Sequence, residues 1–362
     1  MAIRENSIIF LLGAGASVDA GIMHAKAMTE DIERKIKNDK DFLKFEDLYN
    51  YLKSSIIYQR GLEGNFRDRD VNVEELLNVL SEIKLKDKNK LYPFIGSWNV
   101  HLQKVAGEDF EKATELDELI RKQLFKWINI RDYDKSDYFF GLSSLAHEIG
   151  APIRVFTLNY DLCVEKALAK INVPLELGFN DVKTWEASKF DGSPLTEPQI
   201  YLYKLHGSID WVRDDTQEHV LRKCDSPQDN PELIFGTTAK LSSIDPYLFY
   251  VHEFRKYSLQ EPLRFIVTVG YSFSDDYVNR LISQSIKRNE YVKLLTVFPT
   301  FCANTEEAAG KMQLEKDRIA TLLKISTNKI VISDVLAKDF FKDQANLEYF
   351  EKNSEPGDDS PF

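Results

Sequence analysis

Residues 7–17 read SIIFLLGAGAS and carry the two features that decide the fold. Ile8 to Leu12 are five consecutive apolar residues without polar alternation, which is typical of a strand covered on both faces in a parallel sheet. The run ends in the small-residue turn Gly13–Ser17, and Gly21 follows. Glycines let a backbone approach a pyrophosphate, and a helix N-terminus offers it free N–H groups. The stretch therefore predicts a dinucleotide phosphate site or, alternatively, a tight strand-to-helix turn without a ligand.

The composition indicates a globular protein. The 362 residues are 43% hydrophobic and 29% charged, enough for one large core or two modest ones. The net charge of −11 is unfavourable for broad contact with nucleic-acid phosphates, which needs clustered Lys and Arg. No run approaches the ~18 apolar residues of a membrane span, and Ile8–Leu12 is shorter than the ~7–15 residues of a signal-peptide core. We expect a cytoplasmic protein that binds neither a membrane nor nucleic acid directly.

The cysteines and short motifs exclude several classes of site. Cys163, Cys224 and Cys302 are far apart and form no C-x-x-C pair, which excludes a four-cysteine zinc ribbon and argues against a disulfide scaffold. The chain contains no H-E-x-x-H, no P-loop motif and no G-x-S-x-G. We therefore expect no metal, no P-loop ATPase and no serine hydrolase of that type.

The hydrophobic pattern predicts an α/β fold, a Rossmann-like parallel sheet with a mostly helical insert. The sheet domain begins over residues 1–38, the insert spans 39–150, the sheet domain resumes over 151–345, and a flexible acidic tail covers 346–362. A helix is predicted from Ser17 to about Lys37, and Asn72 with Glu75 resembles a capping box within the insert. Later strands are predicted at 153–158, 201–205, 232–236, 264–270, 291–298 and, as an edge strand, 329–332.

Polar residues directly follow four of the predicted strands. The clusters are Gly13–Ser17, Asn159-Tyr160-Asp161, His206-Gly207-Ser208, and Gly270-Tyr271-Ser272 with Ser274-Asp275-Asp276. In an open α/β sheet, ligands bind outside the carboxyl ends of the strands. We therefore expect all four clusters to face one crevice.

Several of these residues also have a purely structural explanation. Asp161 is equally typical of a helix N-cap and of a functional acid, and Asp275 and Asp276 are most simply helix caps, but the sequence leaves all three open between capping and catalysis. His206 can be a core histidine, but its position after a strand and before Gly-Ser favours a functional role. Gly270 with Ser272 predicts a second close backbone approach to a nucleotide, or a simple turn.

Taken in order, these motifs resemble those of sirtuins. The matching residues are Gly13–Ser17 with Gly21-Ile22, Leu158–Asp161, Leu205–Ser208, Phe235-Gly236 and Gly270–Ser272. The set is similar to the sirtuin-like NAD-cleaving domains of prokaryotic anti-phage defence systems, and in particular to the sirtuin subunit of sirtuin–HerA systems. The resemblance covers about residues 7–290 and implies a sheet of sirtuin type.

The resemblance implies a role for each matched residue. The turn Gly13, Ala14, Gly15, Ala16 and Ser17, with Gly21, would bind the pyrophosphate of NAD+, which is the substrate. Gly270 and Ser272 would hold the adenosine half. Asn159, with Asp161 nearby, would lie on the nicotinamide side and orient the amide or a water. His206 would be the general base, a role typically worth ~10²–10⁴-fold in rate.

The sequence departs from deacylating sirtuins in two places. Those enzymes carry paired C-x-x-C motifs between their His-Gly and Phe-Gly elements, whereas residues 208–234 contain Cys224 alone. After Gly21 the chain reads IMHAKA, where deacylases have Pro-Asp-Phe-Arg. Water is therefore the expected acceptor, and the expected reaction is NAD+ hydrolysis to nicotinamide and ADP-ribose, or a cyclic product. The alternatives are an NAD-dependent protein deacylase and a non-catalytic subunit that binds NAD or ADP-ribose.

The resemblance also implies a biological setting, an antiviral effector that depletes NAD+ in an infected bacterial cell (abortive infection). Uncontrolled NAD+ loss kills the host, so the activity has to be restrained. We therefore expect a homo-oligomer and a regulatory partner protein, with a HerA-like ATPase as first guess and an Argonaute-type protein as second.

Overall fold

The structure is a computed structural model that describes residues 3–62, 64, 71–84, 100–191, 199–214, 220–228, 231, 233, 245–302 and 304–354. The chain divides into two compact units. Unit 1 comprises Met1–Ile22, Ile130–Leu233 and Ser243–Phe362, and unit 2 comprises Met23–Asn129 and Ile234–Ser242. The sequence-predicted strand 232–236, apart from Leu233, lies outside the described residues, as does the Phe235-Gly236 motif.

Unit 1 contains a parallel sheet of seven strands, in the order β3-β4-β2-β1-β7-β8-β9, and an antiparallel hairpin, β5-β6, within the described residues. The strands are β1 (Ile8–Leu12), β2 (Ile153–Thr157), β3 (Leu175–Glu176), β4 (Ile200–Lys204), β5 (Trp211–Asp214), β6 (Val220–Lys223), β7 (Phe265–Val269), β8 (Lys293–Val297) and β9 (Ile330–Ser333). Apart from the short edge strand β3, this is the 3-2-1-4-5-6 order of a Rossmann fold. The predicted α/β parallel sheet is confirmed.

The strand order places a topological switch point between β1 and β7. The chain runs from β1 to one side through β2 and β4, and then returns to β7 on the other side of β1. Ligands of open α/β sheets bind in the crevice at the carboxyl ends of the strands beside such a point. The turns after β1 and β7 meet at this switch point, and the place beside them where such folds bind ligands is called the crevice below.

β1 is buried on both of its faces, which explains its unbroken apolar sequence. Ile9 and Leu11 belong to one hydrophobic cluster. Phe10 points to the opposite face, where its ring centroid lies 6.0 Å from that of Phe341 and 6.4 Å from that of Phe350. Because both faces are covered, no position in the strand favours a polar residue.

Along the chain, the described helices of unit 1 lie before, between and after the strands of this sheet. They are Phe140–Ile149, Cys163–Lys170, Tyr247–Ser258, Asp276–Arg288, Thr305–Leu323, Ala337–Asp339 and Leu347–Ser354, with a short π-helical turn at Phe340–Gln344. The helix Tyr247–Ser258, the strand β3 and the hairpin β5-β6 had no counterpart among the sequence predictions. The edge position predicted for the last strand is confirmed, because β9 pairs with β8 alone in the described sheet.

The described residues of unit 2 are helical. The helices are Ala25–Asn38, Lys40–Leu43, Glu46–Leu62, Val73–Lys84, Val100–Ala106 and Glu111–Ile128. The predicted capping box is confirmed, since Glu75 N–H donates to Asn72 Oδ1 at 3.2 Å and Asn72 N–H donates to Glu75 Oε2 at 2.9 Å. A buried carboxylate, Asp117, pairs with Lys84 at 2.7 Å and Arg121 at 2.9 Å.

The division into units differs from the predicted insert of residues 39–150. The helix Ala25–Asn38 belongs to unit 2, where Trp127 Nε1 donates to Asp31 at 3.1 Å. Residues 130–150 belong to unit 1, where the Phe139 ring lies 5.1 Å from that of Phe341. Long-range side-chain contacts therefore decide where each unit begins and ends, and the hydrophobic periodicity of the sequence does not reveal these contacts.

The chain also differs from the predicted flexible tail over its first part. Residues 347–354 form a helix, and Phe350 on that helix is fully buried against Phe10 and Phe265. One aromatic side chain thus anchors a segment whose composition is mostly polar. Residues 355–362 lie outside the described part of the chain.

We predict that Phe350→Ala lowers the free energy of unfolding by about 3–5 kcal/mol, the usual cost of emptying a buried aromatic site. The control is Glu351→Ala on the same helix, where the side chain is exposed and the expected change is within about 0.5 kcal/mol. Denaturant titration measures both variants. Equal stabilities would contradict the packing of this helix.

Candidate active site

The turn after β1 packs directly against the turn after β7. Gly13 N–H donates to Val269 O at 2.9 Å, and Gly15 N–H donates to Gly270 O at 3.0 Å. A Cβ on Gly13 would lie 2.5 Å from Gly270 O, and one on Gly15 would lie 2.6 Å from Gly270 Cα. Gly270 has a φ of +60°, and a Cβ there would lie 2.2 Å from Ala16 N. The fold itself therefore requires these three glycines at the base of the crevice.

The prediction of a helix from Ser17 is wrong. Ala14–Ser17 form one 3₁₀ turn, and the next helix begins at Ala25. Gly21 lies between them and has a φ of +100°. A Cβ there would meet no atom within 4 Å, so glycine is needed for this backbone conformation and not for lack of space. His24 then caps the helix, accepting from Ala27 N–H at 3.2 Å. The crevice is thus bordered by a tight turn, without the long helix N-terminus that the sequence suggested.

Asn159 connects the end of β2 to the turn after β1. Its Nδ2 donates to Gly13 O at 2.9 Å and to Ser17 Oγ at 3.1 Å, so both amide hydrogens are used within the protein. The residue is 9% exposed. In the described part of the chain no hydrogen bond reaches its Oδ1. That oxygen is therefore the acceptor Asn159 can offer to a ligand.

Asp161 precedes the N-cap residue Leu162 of a helix and bonds to its first residue, and a buried lysine holds the Asp161 backbone. Asp161 Oδ1 accepts from Cys163 N–H at 2.9 Å, at the start of the helix Cys163–Lys170. Lys204 Nζ donates to Asp161 O and, at 2.7 Å, to Glu165 Oε1. Lys204 is 1% exposed and stands two residues before His206. It therefore ties the Asn159–Asp161 loop to the end of β4.

Burial controls the ionisation of the groups behind this loop. It raises the pKa of the Glu165 carboxyl, which the neighbouring Lys204 charge opposes. It also raises the pKa of the Cys163 thiol, and the charge of Asp161 adds to that effect. A thiol in this state stays protonated at neutral pH, so Cys163 is not a nucleophile here.

His206 follows β4 and is buried at the crevice. The residue is 8% exposed, and neither ring nitrogen has a hydrogen-bond partner in the described residues. Its Nε2 lies 3.7 Å from Asp275 Oδ2, beyond hydrogen-bond range but within that of an ion pair. Its ring centroid lies 6.0 Å from that of Tyr160. Because buried polar atoms without partners are rare in folded proteins, this ring is a candidate for contact with a ligand.

The turn after β7 has two exposed serine hydroxyls, and the buried Tyr271 holds it on the following helix. Ser272 is exposed, and its Oγ lies 2.9 Å from Ser274 Oγ. The buried Tyr271 hydroxyl donates to Asn279 Oδ1 at 2.9 Å and holds the turn on the following helix. Asp275 caps that helix, since its Oδ1 accepts from the backbone N–H groups of residues 277 and 278 at 3.1 Å each.

Direct contacts join several of the candidate residues. Asn159 bonds to Gly13 and Ser17, and Gly270 packs on Gly13 and Gly15. His206 makes its contacts elsewhere, with Asp275 and Tyr160. The described contacts of Gly21 are backbone bonds within its own turn.

Sequence reasoning missed three features of this site: Lys204, the Tyr160 ring and the approach of Asp275 to His206. Lys204 did carry a signal, because it ends the otherwise uncharged strand IYLYK, buried at every position. A lysine in such a strand must find partners inside the protein. The approach of Asp275 to His206 joins residues far apart in the chain and carried no local signal.

A protein-family model of the SIR2-like domain matches residues 153–322. This range includes Asn159, Asp161, His206 and Gly270, whereas the glycine turn after β1 lies before it. The match supports a sirtuin-like family for this part of the chain, and such domains are usually NAD-dependent enzymes. The chain matches none of the curated proteins with which it was compared.

Two further findings concern the described residues. They contain no group of three or more His, Cys, Asp or Glu side chains arranged to hold a metal ion. Within the same ranges, no helix is long and apolar enough to cross a membrane.

We predict that Gly15→Ala lowers the free energy of unfolding by about 1–3 kcal/mol, because its Cβ would strike the backbone of Gly270. Gly310→Ala is the matched control. Gly310 lies exposed in the helix Thr305–Leu323 with open space around it, and there alanine adds about 0.5–1 kcal/mol. Thermal and denaturant unfolding measure both variants. A neutral Gly15→Ala would contradict the close contact of the two turns.

Proposed function

We propose that this protein is an NAD+ glycohydrolase that cleaves NAD+ to nicotinamide and ADP-ribose. The observation that carries the proposal is His206, a buried histidine whose two ring nitrogens lack partners in the described residues, beside the crevice at the switch point. Asn159 borders the same crevice with its Oδ1 available. The SIR2-like match over residues 153–322 supports NAD+ as the substrate.

The residues around the crevice fit a dinucleotide. The turn Gly13–Ser17 and Gly21 would face the pyrophosphate, and Gly270 and Ser272 would face the adenosine half. Gly13, Gly15 and Gly270 let the two turns pack backbone against backbone, and the Ser272 hydroxyl is exposed for a hydrogen bond. This assignment supports binding of NAD+ across the two turns, as the strand order favours.

The chemistry requires little more than an acceptor and a base. The bond from ribose C1′ to the nicotinamide nitrogen breaks, its electron pair leaves with nicotinamide, and positive charge develops on the ribose. Asn159 Oδ1 is an acceptor that can stabilise that charge or orient the attacking water. Water oxygen bonds to C1′, and its proton passes to His206 and then to solvent. The balance is NAD+ and water in, with nicotinamide, ADP-ribose and a proton out. Attack by a group of NAD+ itself would give a cyclic product.

Water is favoured over an acyl-lysine acceptor by the sequence between β4 and β7. The paired cysteines of deacylating sirtuins are missing there, since Cys224 stands alone. A deacylase would instead release O-acyl-ADP-ribose from an acylated peptide, and a binding subunit would retain NAD+ unchanged. Both alternatives are outcomes of the assay below.

We also propose a role for this activity as an anti-phage effector that depletes NAD+ in an infected cell. The support is the resemblance of the motifs to sirtuin-like defence proteins. Under this proposal a homo-oligomer and a partner, first a HerA-like ATPase and second an Argonaute-type protein, restrain the activity, and unit 2 provides the assembly surface. Deletion of unit 2 with oligomer and regulation unchanged would contradict that assignment.

We predict that His206→Ala and Asn159→Ala each lower NAD+ hydrolysis by about 10²–10⁴-fold, because each removes a group that acts on the reacting ribose or water. The measurement is nicotinamide release by purified protein, alone and with the products of neighbouring genes. His147→Ala is the matched control, since His147 is exposed on the helix Phe140–Ile149, and it retains wild-type activity.

Circular dichroism and thermal unfolding of the same samples distinguish lost chemistry from lost folding. If wild type and both site variants release nicotinamide equally slowly in every condition, the hydrolase proposal is wrong. Peptide-dependent formation of O-acyl-ADP-ribose would replace it with a deacylase.

A further inference from the structure

The two carboxylate oxygens of Asp275 face different partners. Oδ1 accepts from the backbone N–H groups of Tyr277 and Val278, at 3.1 Å each, and so caps the helix Asp276–Arg288. Oδ2 lies 3.7 Å from His206 Nε2. The capping bonds fix the carboxylate, so its second oxygen is held towards the imidazole without help from the histidine.

The pair lies in a poorly hydrated place. The side chains of His206 and Asp275 are 9% and 10% exposed. Within the described residues, Asp275 is the one carboxylate within 4 Å of the His206 ring. At such burial little water separates the carboxylate oxygen from the ring nitrogen.

Buried tyrosines lie around the pair in the described part of the chain. Tyr160 faces the imidazole ring at a centroid distance of 6.0 Å. Tyr247 and Tyr271 lie near Asp275, where burial first and the Asp275 charge second raise the pKa of each hydroxyl, and the Asp276 charge also acts on Tyr271. Of these two carboxylates, Asp275 is the one within ion-pair range of the imidazole.

A carboxylate in this position has two consequences for a general base. It favours the tautomer with the proton on Nε2, which leaves the Nδ1 lone pair to accept a proton. It also stabilises the imidazolium that forms when the base takes that proton. In sites with an activated nucleophile, the general base is likewise oriented by a third group.

We propose that Asp275 is a positioning residue for His206: one carboxylate oxygen orients the imidazole through Nε2 and leaves Nδ1 as the acceptor, while the other oxygen caps the helix. The catalytic part rests on the proposed NAD+ hydrolysis. The interaction itself is independent of that activity. The capping role that the sequence left open for Asp275 is present in the structure, and the proposal adds the second role.

The test variant is Asp275→Asn, which removes the charge and retains an N-cap, because Asn and Asp cap helices about equally well. The control is Asp276→Asn, the exposed neighbour in the first helical turn. A second variant, Asp275→Ser, keeps a capping oxygen on a shorter side chain. If both variants give the same result, the effect comes from the lost carboxylate and not from the new amide group.

The first readout is the tautomer of His206, read at alkaline pH from the ¹⁵N chemical shifts of its ring nitrogens and assigned with the His206→Gln spectrum. We expect the form with the proton on Nε2 to lose population in Asp275→Asn and Asp275→Ser, because the carboxylate that favours it is lost, and to keep its population in Asp276→Asn. An unchanged tautomer in both Asp275 variants, or an equal change in the control, would overturn the proposal.

The second readout is the steady-state kinetics of NAD+ hydrolysis. A misoriented base slows the chemical step but leaves substrate binding intact, so we expect about a tenfold lower kcat with little change in KM in Asp275→Asn, and wild-type values in Asp276→Asn. A changed tautomer with an unaltered kcat would contradict the positioning role. Absence of hydrolysis in wild type would contradict the proposed function and leave the NMR result to decide the interaction.

Discussion

The site depends on the contact between two backbone turns at the switch point of the sheet. Gly13 and Gly15 after β1 lie so close to Gly270 after β7 that a Cβ on any of the three would overlap the opposite backbone. Paired strands bring the turns together, and the bonds from Gly13 to Val269 and from Gly15 to Gly270 hold them. Such an approach leaves main-chain groups, in place of side chains, as the walls of the crevice.

The remaining residues of the site are positioned from this contact outward. Asn159 is bonded to the β1 turn through Gly13 and Ser17, and Lys204 ties the Asn159 loop to the end of β4. His206 follows two residues later, and its two ring nitrogens have no hydrogen-bond partner in the described residues. Together with Asn159 Oδ1, they are the polar atoms of the site that a ligand would complete.

Much of the fold follows from sequence because both faces of the central strands are covered. The mostly apolar strands β1, β2, β7 and β8 are stable in the interior of a sheet that is covered on both faces. Polar clusters of the candidate site follow the carboxyl ends of β1, β2 and β7. The helix at Ala25 starts later than periodicity suggests, because Gly21 adopts a positive φ and His24 provides the cap. The approach of Asp275 to His206 and the docking of Phe350 on Phe10 depend on tertiary packing, which local sequence does not encode.

The central claim is that this crevice transfers the ribose of NAD+ to water, and the oxygen of the product tests it most directly. The protein is incubated with NAD+ in ¹⁸O-labelled water, with His206→Ala as the blank, and the products are analysed by mass spectrometry. The account predicts free nicotinamide together with ADP-ribose that contains one ¹⁸O atom, formed by the wild type and not by the blank. Intact NAD+, or equal labelling in the blank, would contradict it.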